Sequence, residues 1–167
     1  MSVDVDLFKA GMRHLAGHVC LITTSGADGQ RSGLTATAVC SVSASPPTLL
    51  CCVNRQSASH SAIVEAGFFA VNVLTLEDQH LANRFAGAVA GEERFAVGDW
   101  LAHATGAPIL QTAAASFVCR LSEKVDVATH GILFGEILGL QVRQDELKPL
   151  LYAQGNYGSF VSLENIS

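Results

Sequence analysis

Two adjacent prolines, Pro46-Pro47, sit in the middle of the stretch Gly33 to Ser59, GLTATAVCSVSASPPTLLCCVNRQSAS, and punctuate it. Proline has no N–H to give a β-ladder, so a strand ends at the pair and another begins after it. The stretch reads as strand, proline turn, strand, and a polar turn opening a helix. Gly33 to Ser43 alternates, with Leu34, Ala36, Ala38, Cys40 and Val42 on one face and Thr35, Thr37, Val39, Ser41 and Ser43 on the other. The second set is nearly all hydroxyls. Solvent-facing strands usually carry Lys, Glu or Arg, and this one carries no charge. An exposed sheet face and a wall beside a flat ligand both fit. Thr48 to Val53 is a continuous apolar run, expected to be buried on both faces. Ser57 or Ser59 caps a short helix to about Glu65, with Gly67 beyond its end. A helix N-terminus and the Arg55 guanidinium favour an anion there, although an ordinary cap beside a solvated Arg has the same residues.

The rest of the chain supplies strands and three short helices. Residues 5 to 16 are predicted helical, with Phe8, Met12 and Leu15 recurring at helical spacing. His14 and His18, four apart, fit a helix end better than a metal site, because Gly17 ends the helix too soon. Val19 to Thr24 is a β-branched strand, and SGADGQ is a hairpin loop. Phe68 to Leu74 is a strand, and Thr75 opens a helix through Ala86. Gly87 to Gly98 is a candidate lid loop. Ile109 to Leu121, Lys124 to Ala128, Gly131 to Val142 and Leu150 to Ala153 are predicted strands, with Thr129-His130-Gly131 a turn and Gly155 to Phe160 a glycine-bearing loop. Strands that follow one another without a long helix between each pair argue for one antiparallel barrel over residues 1–167, dominated by β-structure, rather than a doubly wound sheet.

Composition narrows the chemistry. The formal net charge is −5 with no Lys/Arg cluster, which argues against nucleic acid. No apolar run approaches the ~20 residues of a membrane helix, and MSVDVDLFKA lacks a signal-peptide layout, so a cytoplasmic protein with no membrane partner is expected. Five cysteines, mostly in apolar runs and without C-x-x-C, fit buried free thiols and no metal site. With 49% hydrophobic residues, some apolar surface is expected to be covered by a second subunit. No G-x-G-x-x-G, Walker loop, G-x-S-x-G or H-E-x-x-H is present.

GLTATAVCSVSASPPTLLCCVN resembles the signature of the short-chain flavin reductase family. The similarity continues through Asn54–Ser59, FFAVNVL, LANRFAG, Glu92-Glu93-Arg94-Phe95, Trp100, Thr129-His130 and Gly135-Glu136. Within the family the pattern most resembles the reductase component of two-component 4-hydroxyphenylacetate 3-monooxygenases. Pyrimidine-utilisation flavin reductases, chlorophenol and styrene monooxygenase reductases, and a corrin reductase share it.

The resemblance implies a split β-barrel and a homodimer with FMN or FAD near the subunit interface. NADH or NADPH would donate hydride, and reduced flavin would pass to a partner monooxygenase. A retained flavin serving another acceptor such as a corrin, or a non-catalytic flavin-binding barrel, are the alternatives. It also implies site positions. Thr35, Ala36, Thr37 and Ala38 would lie along the isoalloxazine edge, with Ser41 and Val42 at the ring region. Asn54, Arg55, Gln56, Ser57 and Ser59 would surround the ribityl phosphate. Phe85, Arg94 and Phe95 would lie near flavin or nicotinamide nucleotide, His130 would face the stacked nicotinamide as the catalytic residue, and Tyr157 would close the site. Such chemistry needs no protein nucleophile, because the cofactor carries it.

Overall fold

The structure is a computed structural model that describes residues 3–163. In chain order the elements are α1 (Val5–Met12), β1 (Gly17–His18), β2 (Cys20–Ser25), β3 (Arg31–Ala36), β4 (Val39–Ala44), β5 (Pro47–Asn54), α2 (Ala58–Ala66), β6 (Phe68–Val73), α3 (Gln79–Asn83), β7 (Trp100–Ala102), β8 (Pro108–Leu110), β9 (Ala115–Val127), β10 (His130–Val142), β11 (Leu151–Ala153) and β12 (Asn156–Gly158). Seven strands form one antiparallel sheet in the order β3-β2-β6-β9-β10-β5-β4. Its two edge strands, β3 and β4, are consecutive in the chain. The sheet curls until they approach each other, and Thr37-Ala38 spans the gap. One interior core draws on every strand of this sheet: Ile22, Ala36, Cys51, Val71, Cys119 and Leu133 belong to it, and the half-buried Val39 packs against it. This is the expected antiparallel split β-barrel.

The split corrects one sequence expectation. Gly33 to Ser43 is two strands on opposite edges, not one, and the break at Thr37-Ala38 resets the alternation. Leu34 and Ala36 face the interior before the break and Val39 faces it after, so the hydroxyl residues do not share a single face. Thr48 to Val53 is likewise one-sided: Leu49, Cys51 and Val53 are buried, whereas Thr48, Leu50 and Cys52 are half-buried. The strand expected at 109–121 is broken at residues 111–114 into β8 and the first part of β9, and β9 runs on through the strand expected at 124–128, interrupted only by a register shift opposite Phe134 and Gly135. The strand expected at Leu150–Ala153 forms as β11, and the following tail, expected as a loop, supplies β12, which pairs with β11 as a hairpin joined to β1 in a second, three-stranded sheet.

The caps follow the sequence. Asp4 Oδ1 accepts the N–H groups of Asp6 and Leu7 at 3.0 and 2.9 Å, starting α1. Ser57 caps α2, and Gly67 ends it at φ 71°, a left-handed conformation that glycine adopts without a Cβ clash. Thr75 and Asp78 form a capping box ahead of α3. That expected helix runs only over Gln79–Asn83, with a short 3-10 turn before it and a wider turn, Arg84–Ala88, after it. Helix α1 buries none of its residues. A second apolar cluster lies outside the barrel, where α3 and the following loop cover β2 and β3 with Leu21, Leu81, Phe85, Phe95 and Trp100.

The thiols of Cys20, Cys51 and Cys119 are free and buried, as expected, and burial pushes Cys20 and Cys119 up to about 12. They are therefore inert filling. Among the described residues no helix is long and apolar enough to cross a membrane, and no group of His, Cys, Asp or Glu is arranged to hold a metal ion.

Candidate active site

The crossover from β3 to β4 lies at the surface of the barrel. Thr37 and Ala38 are both exposed, and the carbonyl of Ala38 accepts the Cys52 N–H at 3.0 Å. Small side chains here let a flat ligand come close to the main chain. Ala36 is buried in the barrel core. The Thr35 hydroxyl donates to the Ala82 carbonyl at 2.7 Å, so it holds α3 against β3 instead of facing outward. Strand β1 runs beside Thr37 so closely that a Cβ on Gly17 would lie 2.8 Å from the Thr37 Cβ. Ser41 lines an apolar cavity of ≈ 300 Å³ with Cys20, Val39, Thr48 and Phe117, whereas Val42 is exposed.

Beside the crossover, β5 ends in the polar turn. Asn54 Oδ1 accepts the Gln56 N–H at 2.9 Å, and Ser57 accepts the Ser59 N–H at 3.3 Å. Asn54, Arg55 and Gln56 are exposed and Ser57 is half-buried. Ser59 departs from expectation. It is buried, and its hydroxyl lies 3.0 Å from that of Ser32, so it ties α2 to β3 rather than reaching solvent.

Strand β10 runs antiparallel to β5 and places His130 opposite Asn54. The Arg55 N–H donates to the Thr129 carbonyl at 3.0 Å, sewing the β5 turn to the β9–β10 turn. The Thr129 hydroxyl lies 2.8 Å from His130 Nδ1, which leaves Nε2 as the ring nitrogen not engaged by Thr129. Crossover, polar turn and His130 thus meet at one end of three neighbouring strands, β4, β5 and β10.

Between the two turns lies a polar recess of ≈ 480 Å³ lined by Arg55, Gln56, His60, Lys124, Asp126 and Thr129. Arg55 reaches the Ala128 carbonyl at 3.2 Å and Asp126 at 3.6 Å. Lys124 Nζ lies 2.9 Å from Asp126, and its hydrogen bond, with the charge of Arg55, holds that carboxyl below its ordinary range. His60 is buried, and its Nε2 has no hydrogen-bond partner. Burial, with the charge of Lys124 next, holds its pKa below the ordinary value.

On the β3 side, the loop after α3 is strapped down rather than free. Arg94 donates to the carbonyls of Val89 and Gly33, at 2.9 and 2.5 Å. Arg31 pairs with Glu92 and lies 4.7 Å over the Phe95 ring. Phe85 and Phe95 are buried edge to face with centroids 5.0 Å apart, so they build the wall behind β3. Tyr157 packs against the same outer cluster and against Tyr152, with centroids 5.2 Å apart.

Of the expected residues, the fold brings together Thr37, Ala38, Asn54, Arg55, Gln56, Ser57 and His130. It places Thr35, Ala36, Ser59, Phe85 and Phe95 behind that surface. His60 and Lys124, which the sequence does not single out, line the recess between the turns, and Asp126, which reads in sequence as an ordinary sheet residue, joins them there. The spacing of Lys124 and Asp126, two apart on a strand, was the available signal for a shared charged face.

The likenesses to known proteins agree with this geometry. Residues 12–160 match the family described as flavin reductase like domain. The chain is 45% identical over 150 residues to the FMN reductase (NADH) RutF of Pseudomonas syringae pv. syringae, covering 90% of this chain and 83% of that one. The crystal structure of a flavin reductase domain protein from Arthrobacter sp. FB24 superposes with a TM-score of 0.86 at 32% identity, over 95% of this chain and 96% of that one. BorF, the flavin reductase component of a bacterial two-component tryptophan halogenase, superposes with a TM-score of 0.86 at 30% identity, over 95% and 99% of the two chains. The open crossover, the polar turn and the paired hairpin turn are therefore parts of a split barrel that belongs to the flavin reductase-like family.

Proposed function

We propose that this chain is an NAD(P)H:flavin oxidoreductase that reduces FMN or FAD by hydride transfer and releases reduced flavin to a partner oxygenase. The observation that carries the reading is the Arg55–Thr129 backbone bond, which sets an anion-ready turn and His130 side by side next to an exposed backbone crossover. The likeness to a protein named FMN reductase (NADH) favours FMN and NADH as the working pair. It also draws the reading away from the 4-hydroxyphenylacetate system, since relatives carrying that RutF name recur from Pseudomonas syringae to Klebsiella pneumoniae.

The residues fit such a cofactor. An isoalloxazine ring, when bound, supplies the hydride-accepting atom. The chain's own task is to hold two rings face to face at about 3–3.5 Å and to keep water out. Main-chain groups of Thr37 and Ala38 line the ring edge. Arg55, Gln56 and Ser57 orient the phosphate end. His130 Nε2 positions the nicotinamide from the β10 side, and Thr129 fixes the imidazole plane.

A homodimer is part of the proposal. Val42, Val125, Val127 and Leu138 are exposed apolar side chains on β4, β9 and β10, and Phe8 and Met12 of α1 are exposed as well. The likeness to BorF, named as a component of a two-component halogenase, supports transfer of reduced flavin to an oxygenase.

Steady-state NADH oxidation with FMN, FAD or riboflavin tests the reading. Acceleration well above the flavin-only background is expected. Flavin that binds without accelerating oxidation would leave only a binding protein.

A further inference from the structure

We propose that Thr35 and Arg94 are positioning residues for the flavin ring: they clamp the outer edge of β3 and so hold the Thr37-Ala38 crossover in the form that receives it. The inference rests on the flavin reductase reading and concerns residues that the fold places behind the ligand surface.

Strand β3 ends the sheet, so no neighbouring strand pairs with its outer edge. Residues 82–95 take that place, and they hold every second residue of β3. The Arg31 N–H donates to Glu92 Oε2 at 2.8 Å. The Gly33 carbonyl accepts from Arg94 at 2.5 Å, and a Cβ on Gly33 would lie 2.9 Å from Phe85 Cε1. The Thr35 hydroxyl donates to the Ala82 carbonyl at 2.7 Å. The next residue in this series is Thr37, the first of the crossover, and it is exposed. The clamp stops one step short of the surface where a ring would lie.

The clamp is itself braced. Arg94 Nε donates to the Val89 carbonyl at 2.9 Å, and Arg84 Nε donates to the Arg94 carbonyl at 3.0 Å. Phe95, under the Arg31 guanidinium, packs edge to face on both Phe85 and Trp100, with centroids 5.0 Å apart. On its far side the crossover is tied to β5, where the Ala38 carbonyl accepts the Cys52 N–H at 3.0 Å. Its near side is set by β3, and so by the clamp.

Thr35 and Thr37 are two residues apart, about 7 Å along an extended strand, so freedom at Thr35 or Gly33 is passed on to the crossover. With the clamp loosened, only a fraction of the unliganded protein has the competent crossover. Apparent flavin affinity falls by that fraction, and flavin once bound restores the competent form. The KM for flavin therefore rises while kcat holds. A general structural lesion acts otherwise, removing active enzyme and lowering kcat at unchanged KM. Because the effect is on the ring, lumiflavin, which has no ribityl phosphate, should lose as much affinity as FMN.

The test compares wild type with Thr35→Val and Arg94→Met in the full chain. Fluorescence titration with lumiflavin and FMN, steady-state kinetics, and amide exchange at Cys52 without flavin are the readouts. One hydrogen bond of ordinary strength corresponds to about a fivefold effect. The expected result is about fivefold weaker binding of both ligands in each variant, KM for FMN raised by the same factor at unchanged kcat, and faster Cys52 exchange. Thr35→Ser, which keeps the hydroxyl, should restore wild-type affinity. Thr35→Val keeps the side-chain shape, so the test stands if Arg94→Met folds poorly. Unchanged affinity in a folded variant, a loss for FMN alone, or a fall in kcat would overturn the inference while leaving the flavin reading intact. Wild type that binds neither lumiflavin nor FMN would sink the flavin reading and this inference with it.

Discussion

The main-chain N–H of Arg55 and the carbonyl of Thr129 are 3.0 Å apart, and this bond couples two turns that lie over seventy positions apart in sequence. It brings a guanidinium suited to phosphate and an imidazole suited to nicotinamide onto neighbouring strand ends. The two residues then have separable jobs, and separate measurements reach them.

Arg55→Ala is expected to weaken FMN and leave riboflavin nearly unchanged. A charge-assisted hydrogen bond is worth about 1.5–3 kcal/mol, so tenfold or more in FMN affinity is at stake. Flavin fluorescence quenching measures both ligands. Equal loss for the two would move the phosphate elsewhere.

For His130→Ala the expected change is in rate. Flavin reduction by NADH should slow on the order of ten- to a hundredfold, the cost of a mispositioned reactant. Flavin affinity should hold, because His130 is not among the residues that line the recess. Stopped-flow absorbance gives the first quantity and equilibrium titration the second. An unchanged reduction rate would take His130 out of the site.

Gly135 sits in a tightly packed part of the barrel interior. A Cβ at that position would sit 2.5 Å from Phe69 Cζ and 2.7 Å from Cys119 Cβ, both in the closed core. Gly135→Ala should therefore cost about 1–3 kcal/mol of stability. Denaturant unfolding measures it. Adding Phe69→Leu should return part of the loss, and a double variant no more stable than the single would place the strain on Cys119 instead.

Stability should also fall on mild acidification. The folded chain keeps the His60 pKa below its ordinary value, chiefly through burial. In the unfolded chain it titrates near about 6.5. As pH drops through that value, the unfolded state takes up a proton that the native state resists, and the native state loses ground. The contribution is fully present above the unfolded pKa and is lost as pH falls toward the folded one. Asp126 and Asp145, whose carboxyls are held low by hydrogen bonds from Lys124 and Arg143, act only in the more acidic carboxylate range. Melting temperatures between pH 8 and pH 5 should decline in wild type and flatten in His60→Phe. Parallel curves would show that His60 is not the group responsible.

The local rules of the chain were open to reading because they depend on neighbours in sequence. Pro46-Pro47 sets a strand boundary, and Ser57 and Gly67 bracket α2, whereas the one-sided burial of Leu49, Cys51 and Val53 within an all-apolar run was not legible. The resemblance carried by TATAVCSVS and the turn after it was enough to indicate a split barrel and the flavin-reductase family. Hydrogen-bond partners across the barrel were decided only in three dimensions. Nothing in the local pattern tells Thr35, whose hydroxyl is taken by Ala82, from Thr37, which stays open. Nothing local says that Ser59 is sealed by Ser32, or that His60 comes to rest against Gly131 beside Lys124. Periodicity and capping act over a few residues. Closure of the sheet joins β5 to β10 and α2 to β3, and only that closure decides which polar groups among the described residues find a partner and which do not.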